Sequence, residues 1–430
     1  MSWMLKRCLM NYRIRINRLL ISAIITFLAH AAAGEDPLYT VDLTVAQQGY
    51  DGEKFWGHAR SGAIPPGTSS NPGSDPLVVM TMQRALNSGS DLFYALNEMR
   101  TSDLGATWSE PVKHASFARV PTSFGDKNDL QVTVSDFTPR WHAKSGKLLG
   151  TGHTVVYEDN KVLHVRPRAT SYAVYDPETN TWSKWKALEM PDHPRFANAG
   201  AGSVQRYDLP NGDILLPVYF KEPEKTICSV AVMRCTFDGE TLTYQEHGNE
   251  LSVPIKRGLV EPSLTRFDDR FFLTIRNDEH GYVAVSDDGL HYSEPKRWTF
   301  DDGSDLGNYN TQQHWVVHSK ALFLVYTRRG ANNDHVMRHR APLFMARIDP
   351  ENLQVIRDTE QILVPEKGAR LGNFDITEIN ESETWVTVAE WMQALGPNYS
   401  DATPLVKRGA DNRIWVAKLR WSTPNKAIGK

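Results

Sequence analysis

From Leu77 to the C-terminus the chain is cut into short runs rich in aliphatic, β-branched and aromatic residues, each closed by turn formers. PLVVMTMQ, DLFYALNEMR, KLLGTGHTVVY, TSYAVYD, DILLPVYF, ICSVAVMRCTF, RFFLTIR, YVAVSDD, ALFLVYTR, LFMARID, TWVTVAEW and RIWVAKLRW follow one another in order. Asn211-Gly212, Asp238-Gly239 and Asp268-Asp269 are hairpin pairs between such runs. No stretch carries the periodicity of an amphipathic helix of ordinary length, so an all-β fold is expected. Even spacing favours repeated small sheets over a sandwich. The Pro/Gly-rich stretch 62–76 reads as a long loop after the first strand, and nothing resembles a linker between halves, so 34–430 is expected to be a single domain.

Within this pattern Thr101-Ser102-Asp103-Leu104-Gly105-Ala106-Thr107-Trp108 fits (S/T)xDxGxTW at every fixed position. Such a segment makes physical sense as a capped turn: the Asp accepts backbone N–H bonds, Gly takes a positive φ and Trp packs between sheets. Val285 to Tyr292 repeats it with substitutions, placing Asp287 in the Asp column, and 175–182 is a weaker echo. The segment resembles the Asp box of the sialidase (neuraminidase) superfamily. Leu259 to Tyr292 resembles the central blade of the same family, with Glu261 opening one strand, Arg276 closing the next and a VAVS strand following. Antiparallel pairing of those two strands puts the acid and the guanidinium at one rim. The resemblance implies a six-bladed β-propeller with its ligand site at the mouth of the central axis.

The first 33 residues read as a secretory signal peptide, with Lys6, Arg7, Arg13, Arg15 and Arg18 before the apolar run Leu19–Leu28 and small residues after it. That run is short for a membrane span, and no later stretch is longer, so a secreted or periplasmic protein without a span is expected. Removing five basic and no acidic residues takes the formal charge from −3 to −8, which disfavours nucleic acid and anionic membranes as partners. Of three cysteines, Cys8 lies in the leader, while Cys228 and Cys235 stand at an odd separation unsuited to an intrastrand disulfide. No CxxC or HExxH pattern supports a zinc site, and no cofactor is called for.

The resemblance implies three arginines gripping a sugar carboxylate, a geometry that lysine does not reproduce. Carried over by position, these are Arg60 ahead of Ile64-Pro65, Arg276, and Arg340 (with Arg338 or Arg328 as alternatives). Asp136 falls where the acid/base is expected, Glu261 where the nucleophile is assisted, and Glu390 where a late Glu steadies Arg60. The family's nucleophilic Tyr is missing: Asn373 occupies its column in Gly372-Asn373-Phe374, and neither it nor Phe374 can attack an anomeric carbon. Tyr309 and Tyr326 remain as phenols that no motif selects.

A second rich stretch, 134–157, holds His142 and His153 on either side of a turn at Ser145-Gly146, expected near one end of a blade beside Tyr157. A His/Tyr pair is competent in general acid–base work and resembles the machinery of propeller polysaccharide lyases. Gln313 and His314 in NYNTQQHW, with Trp315, suit sugar hydroxyls and a pyranose face, as Gln205 and Tyr219 do more weakly. The sequence thus points to an exo-acting glycoside hydrolase of sialidase type on a carboxylate-bearing sugar of an acidic oligosaccharide or polysaccharide. A uronate lyase using His142 or His153, and a non-catalytic glycan-binding propeller, are the alternatives.

Overall fold

The computed structural model describes residues 37–89, 91–163 and 167–428. The expected leader lies outside the described residues. Half of the chain is strand and 4% helix. Hydrogen bonding separates the described strands into six antiparallel sheets.

The sheets follow one another along the chain, and neighbouring sheets pack side by side through their inner strands. Lys54–Ile64 touches Lys127–His142 on one side and Phe374–Asn380 on the other; Val260–Phe267 touches Ile214–Lys221 and His314–His318; His314–His318 touches Phe374–Asn380. Each junction has its own apolar core: Ile64, Val79 and Phe137 join the first and second sheets, Leu149 and Leu216 the second and third. Leu264 and Tyr219 join the next pair, followed by Phe272 with Trp315, Val316 with Val388, and Met80 with Trp385. Strands with neighbours on both faces are apolar almost throughout, hence runs such as ILLPVYF rather than strict alternation. The last sheet takes its outer strand from the beginning of the chain, Tyr39–Gln47 pairing with Ile414–Trp421, which closes the ring.

This is a β-propeller arrangement, but it counts five blades rather than the six expected. Five sheets have four or five strands; the one built on Lys127–His142 and Lys147–Glu158 has seven, because those strands run beyond the ring to pair with Val120–Phe124 and Lys161–Val162, and so departs from the four-stranded repeat. Asp-capped turns recur at the same place in the sheets. In each of the five sheets whose third and fourth strands are consecutive in the chain, an Asp accepts backbone N–H bonds at the connecting turn: Asp103, Asp176, Asp238, Asp288 and Asp349. At Thr101–Trp108, Gly105 has φ +77° and Trp108 packs on Trp385 of the last sheet, 6.0 Å between rings. In the Val285–Tyr292 repeat the capping carboxylate belongs to Asp288, not Asp287, with Ser286 donating to it.

Candidate functional site

The site grows from a repeated irregularity in the innermost strands. Bulges interrupt Lys54–Ile64 between Gly57 and Arg60, Lys127–His142 between Ser135 and Thr138, and Val260–Phe267 between Val260 and Ser263. At each bulge one residue takes a left-handed conformation and turns its side chain toward the axis: His58 (φ +53°), Asp136 (φ +51°) and Glu261 (φ +48°). Ser203 (φ +56°) and Asn310 (φ +52°) take the same conformation just ahead of Tyr207–Asp208 and His314–His318. Such backbone costs about 1–3 kcal/mol per residue and gathers where function demands it.

With residues from all six sheets, these bulges enclose a cavity of about 310 Å³ on the axis. Its wall includes Arg168, Tyr219, Arg257, Arg276, Arg338, Arg340, Arg370, Asn373 and Trp391. Two of these arginines are matched by carboxylates. Arg276 bonds Glu261 at 2.5 Å, Asp278 at 3.2 Å and the Asn310 Oδ1 at 2.7 Å; Arg257 bonds Asp278 at 2.8 Å. Burial works against the charge of Arg276, yet Glu261 and Asp278 hold its pKa raised.

Arg340 and Arg370 are different. Each is 4% exposed. Arg340 donates to the carbonyl of Asn310, and Arg370 donates to Gln393 while lying 4.8 Å from the Trp391 ring centroid. Among the described residues no carboxylate forms an ion pair with either, nor with the exposed Arg338. Burial, and then the neighbouring arginines, push Arg340 well below its ordinary value; burial and Arg338 bring Arg370 to about 9. A guanidinium still keeps its proton at neutral pH, so the cost of burying it unpaired remains as a demand for an anion.

Beside this cluster the Tyr219 hydroxyl lies 3.2 Å from His153 Nδ1, and His153 Nε2 lies 3.6 Å from Asp136 Oδ2. Asp136 also meets His58 at 3.2 Å, Arg60 at 2.9 Å and Ser203 at 2.6 Å. Burial alone would raise the Asp136 carboxyl, but His58, Arg60 and His153 hold it well below the usual range. Burial, then Arg168, lowers His153 to about 3, and burial raises Tyr219. At neutral pH the Tyr219 O–H therefore donates to a neutral imidazole held by an ionised carboxylate.

Of the residues singled out in the sequence, Asp136, His153, Glu261, Arg276 and Arg340 come together in this wall, and Asn373 joins them. Arg60 does not line it. Fully buried, it binds Asp136, Thr138, Ser203 and Gln312 and so ties the bulges together from beneath. Glu390 does not orient Arg60, because its oxygens accept from the Asp411 and Arg413 amides and from Trp415 Nε1. His142 pairs with Lys147 and His153 with Ser135, which puts the two histidines at opposite ends of one hairpin, about 20 Å apart along the strand. His142 instead bonds Gly212 and Ser145.

Gln313 and His314 are packing residues rather than sugar contacts. Gln313 bonds Thr274 and Thr311, and His314 sits between Ser263 and Gln312. The Tyr157 hydroxyl serves the Asp91 carbonyl and the Phe93 amide, and that of Tyr326 serves Glu360. His58, Asn310, Asp278, Trp391, Arg168, Arg257 and Arg370 also line the cavity and were not singled out in the sequence. Arg370, three residues before Asn373, carried the nearest signal. No cluster of metal-ligating side chains occurs among the described residues, nor any helix long and apolar enough to cross a membrane.

Ring and cavity together define a sialidase-like β-propeller with an arginine-rich pocket. Solved structures agree on the fold. A protein of unknown function from Dyadobacter fermentans superposes with a TM-score of 0.53 at 13% identity, over 89% of this chain and 99% of that one. NanB sialidase from Streptococcus pneumoniae gives 0.55 at 12% identity, over 88% and 70%. Trypanosoma rangeli sialidase, in complex with the inhibitor DANA, gives 0.52 at 12% identity, over 84% of this chain and 55% of that one, so this chain spans about half its length. At such identities the likeness shows the fold alone. No protein-family profile and no curated protein matches the sequence.

Proposed function

We propose that this protein is an enzyme that cleaves a glycan at a sugar bearing a carboxylate, a uronic or sialic acid. The observation that carries the reading is the pair of buried guanidiniums, Arg340 and Arg370, without a carboxylate partner among the described residues and facing the cavity with Arg276. A planar carboxylate offers the bidentate acceptor that such groups lack. Residues 1–33 would direct export, which suits a substrate outside the cell.

The reacting pair we favour is Tyr219 and His153, and the reaction eliminative. With the carboxylate of a uronate neutralised by the arginines, Tyr219 passes its proton to His153 Nδ1 as it takes the proton alpha to that carboxylate, so that no free tyrosinate forms against the burial that raises Tyr219. The resulting carbanion expels the glycosidic oxygen from the β-carbon, forming a carbon–carbon double bond. Tyr219 protonates the leaving oxygen and recovers its own proton from His153, whose transient charge faces Asp136. A second reading, hydrolysis of sialidase type, is favoured by Glu261 beside Arg276 and by the fold of the sialidases. In it Asp136 cannot donate the proton, being held ionised.

Mass spectrometry of products from sialylated and uronate-containing glycans tests the proposal. An unsaturated, ultraviolet-absorbing non-reducing end supports elimination, and product carrying the mass of an added water supports hydrolysis. No cleavage of any acidic glycan by folded protein would sink both and leave a binding propeller.

A further inference from the structure

One cation of the cavity is left over when a single carboxylate has been seated. Arg257 and Arg276 are neutralised by Glu261 and Asp278, and Arg340, Arg370 and Arg338 stand together as the seat of that carboxylate. Arg168 stands apart from them, on the wall formed by Tyr219 and His153, its guanidinium 4.6 Å from the Tyr219 ring centroid. Among the described residues it has no carboxylate ion pair.

Its seat is built into the backbone. The Ala199 amide donates to the Arg168 carbonyl at 3.1 Å. The side chain crosses Gly200 so closely that an added Cβ there would lie 2.2 Å from Arg168 Cδ, and one at Gly202 would lie 1.8 Å from His153 Nδ1. The two glycines of Asn198-Ala199-Gly200-Ala201-Gly202 thus make room for an arginine and a histidine side by side. A solvated surface arginine needs no such clearance.

We propose that Arg168 forms a second anion subsite, so that the preferred substrate carries, next to the carboxylate held by Arg340 and Arg370, a further anionic group: a sulfate ester or a second carboxylate. This rests on the reading of the cavity as an acidic-sugar site and narrows it to doubly charged glycans. An anion on Arg168 would also screen the positive charge that opposes protonation of His153, which couples recognition of the second group to the basicity of the pair.

The test is calorimetric titration of the full chain with methyl glucuronide, a methyl glucuronide bearing one sulfate ester, and a diglucuronide. Wild type is expected to bind at least one of the doubly charged ligands about tenfold or more tighter than methyl glucuronide. Arg168→Gln should erase that preference, Arg168→Lys should restore part of it, and Arg340→Ala should weaken all three; circular dichroism checks the fold of each variant. Which doubly charged ligand gains identifies the group as sulfate or carboxylate. Methyl glucuronide bound without preference, or a preference that survives Arg168→Gln, overturns the second subsite alone. Failure of wild type to bind any of the three overturns it together with the uronate reading on which it rests.

Discussion

Asp136 illustrates how far a residue's neighbours decide its chemistry. Position in the sequence suggested an acid/base, but two histidines, Arg60 and Ser203 converge on its carboxylate and keep it ionised. Its work is then to hold Arg60 and His153 in place. Asp136→Asn should destabilise the fold by about 3–5 kcal/mol in denaturant titration, since it leaves the buried Arg60 guanidinium without its ion-pair partner. Tyr219→Phe should lower kcat by about 10²–10⁴-fold while changing the affinity for acidic sugar only a few-fold, because the hydroxyl belongs to the proposed reacting pair and not to the arginine cluster. Equal activity of folded Tyr219→Phe would remove Tyr219 from the reaction. Type and order along the chain singled out Arg276, Arg340, Glu261 and His153, which do line the cavity. Arg168 and Arg370 were not singled out, because an arginine in a connection carries no periodicity and its burial is decided by other sheets.

At the scale of the element, turns were more legible than bulges. Asp103 and its partners obey a local rule written in eight residues, and the hairpin through Asp268-Asp269 pairs Val260 with Arg276. Both depend only on neighbours in sequence. A bulge inserts one residue in a left-handed conformation, and nothing in His58, Asp136 or Glu261 announces that backbone. The same gap explains His142 and His153, whose separation follows from a register that side-chain type does not reveal. Asp103→Ala should cost about 1–2 kcal/mol in thermal or denaturant unfolding and leave turnover unchanged, since the capped turn lies at the outer edge of its sheet. Gly202→Ala should affect both, with a loss of about 1–3 kcal/mol and a large loss of activity, because the new methyl occupies the place of His153 Nδ1. Wild-type kcat in folded Gly202→Ala would show that this imidazole position does not matter.

For the whole molecule, the repeat of strand and turn revealed a propeller, while the count of blades depended on how far two long strands outgrow their sheet. Closing a ring around polar inner strands buries histidines, and that sets the acid limit of the fold. Burial lowers His153 to about 3 and also lowers His58 and, by a wide margin, His314, against an ordinary value of 6.5. The unfolded chain therefore takes up protons that the folded chain refuses. This stability is complete above about pH 6.5 and declines as pH falls toward 3, by about 1.4 kcal/mol per pH unit for each such histidine. Denaturant midpoints should drop between pH 7.5 and pH 5, and a flat profile there would contradict neutral buried imidazoles. The cavity as a seat for a carboxylate is tested most directly by calorimetric titration with an acidic oligosaccharide and with the same oligosaccharide after its carboxyls have been reduced to alcohols. Saturable binding of the acid that disappears on reduction, and disappears equally in Arg340→Ala, is the predicted result; binding of the reduced sugar as tight as that of the acid would contradict it.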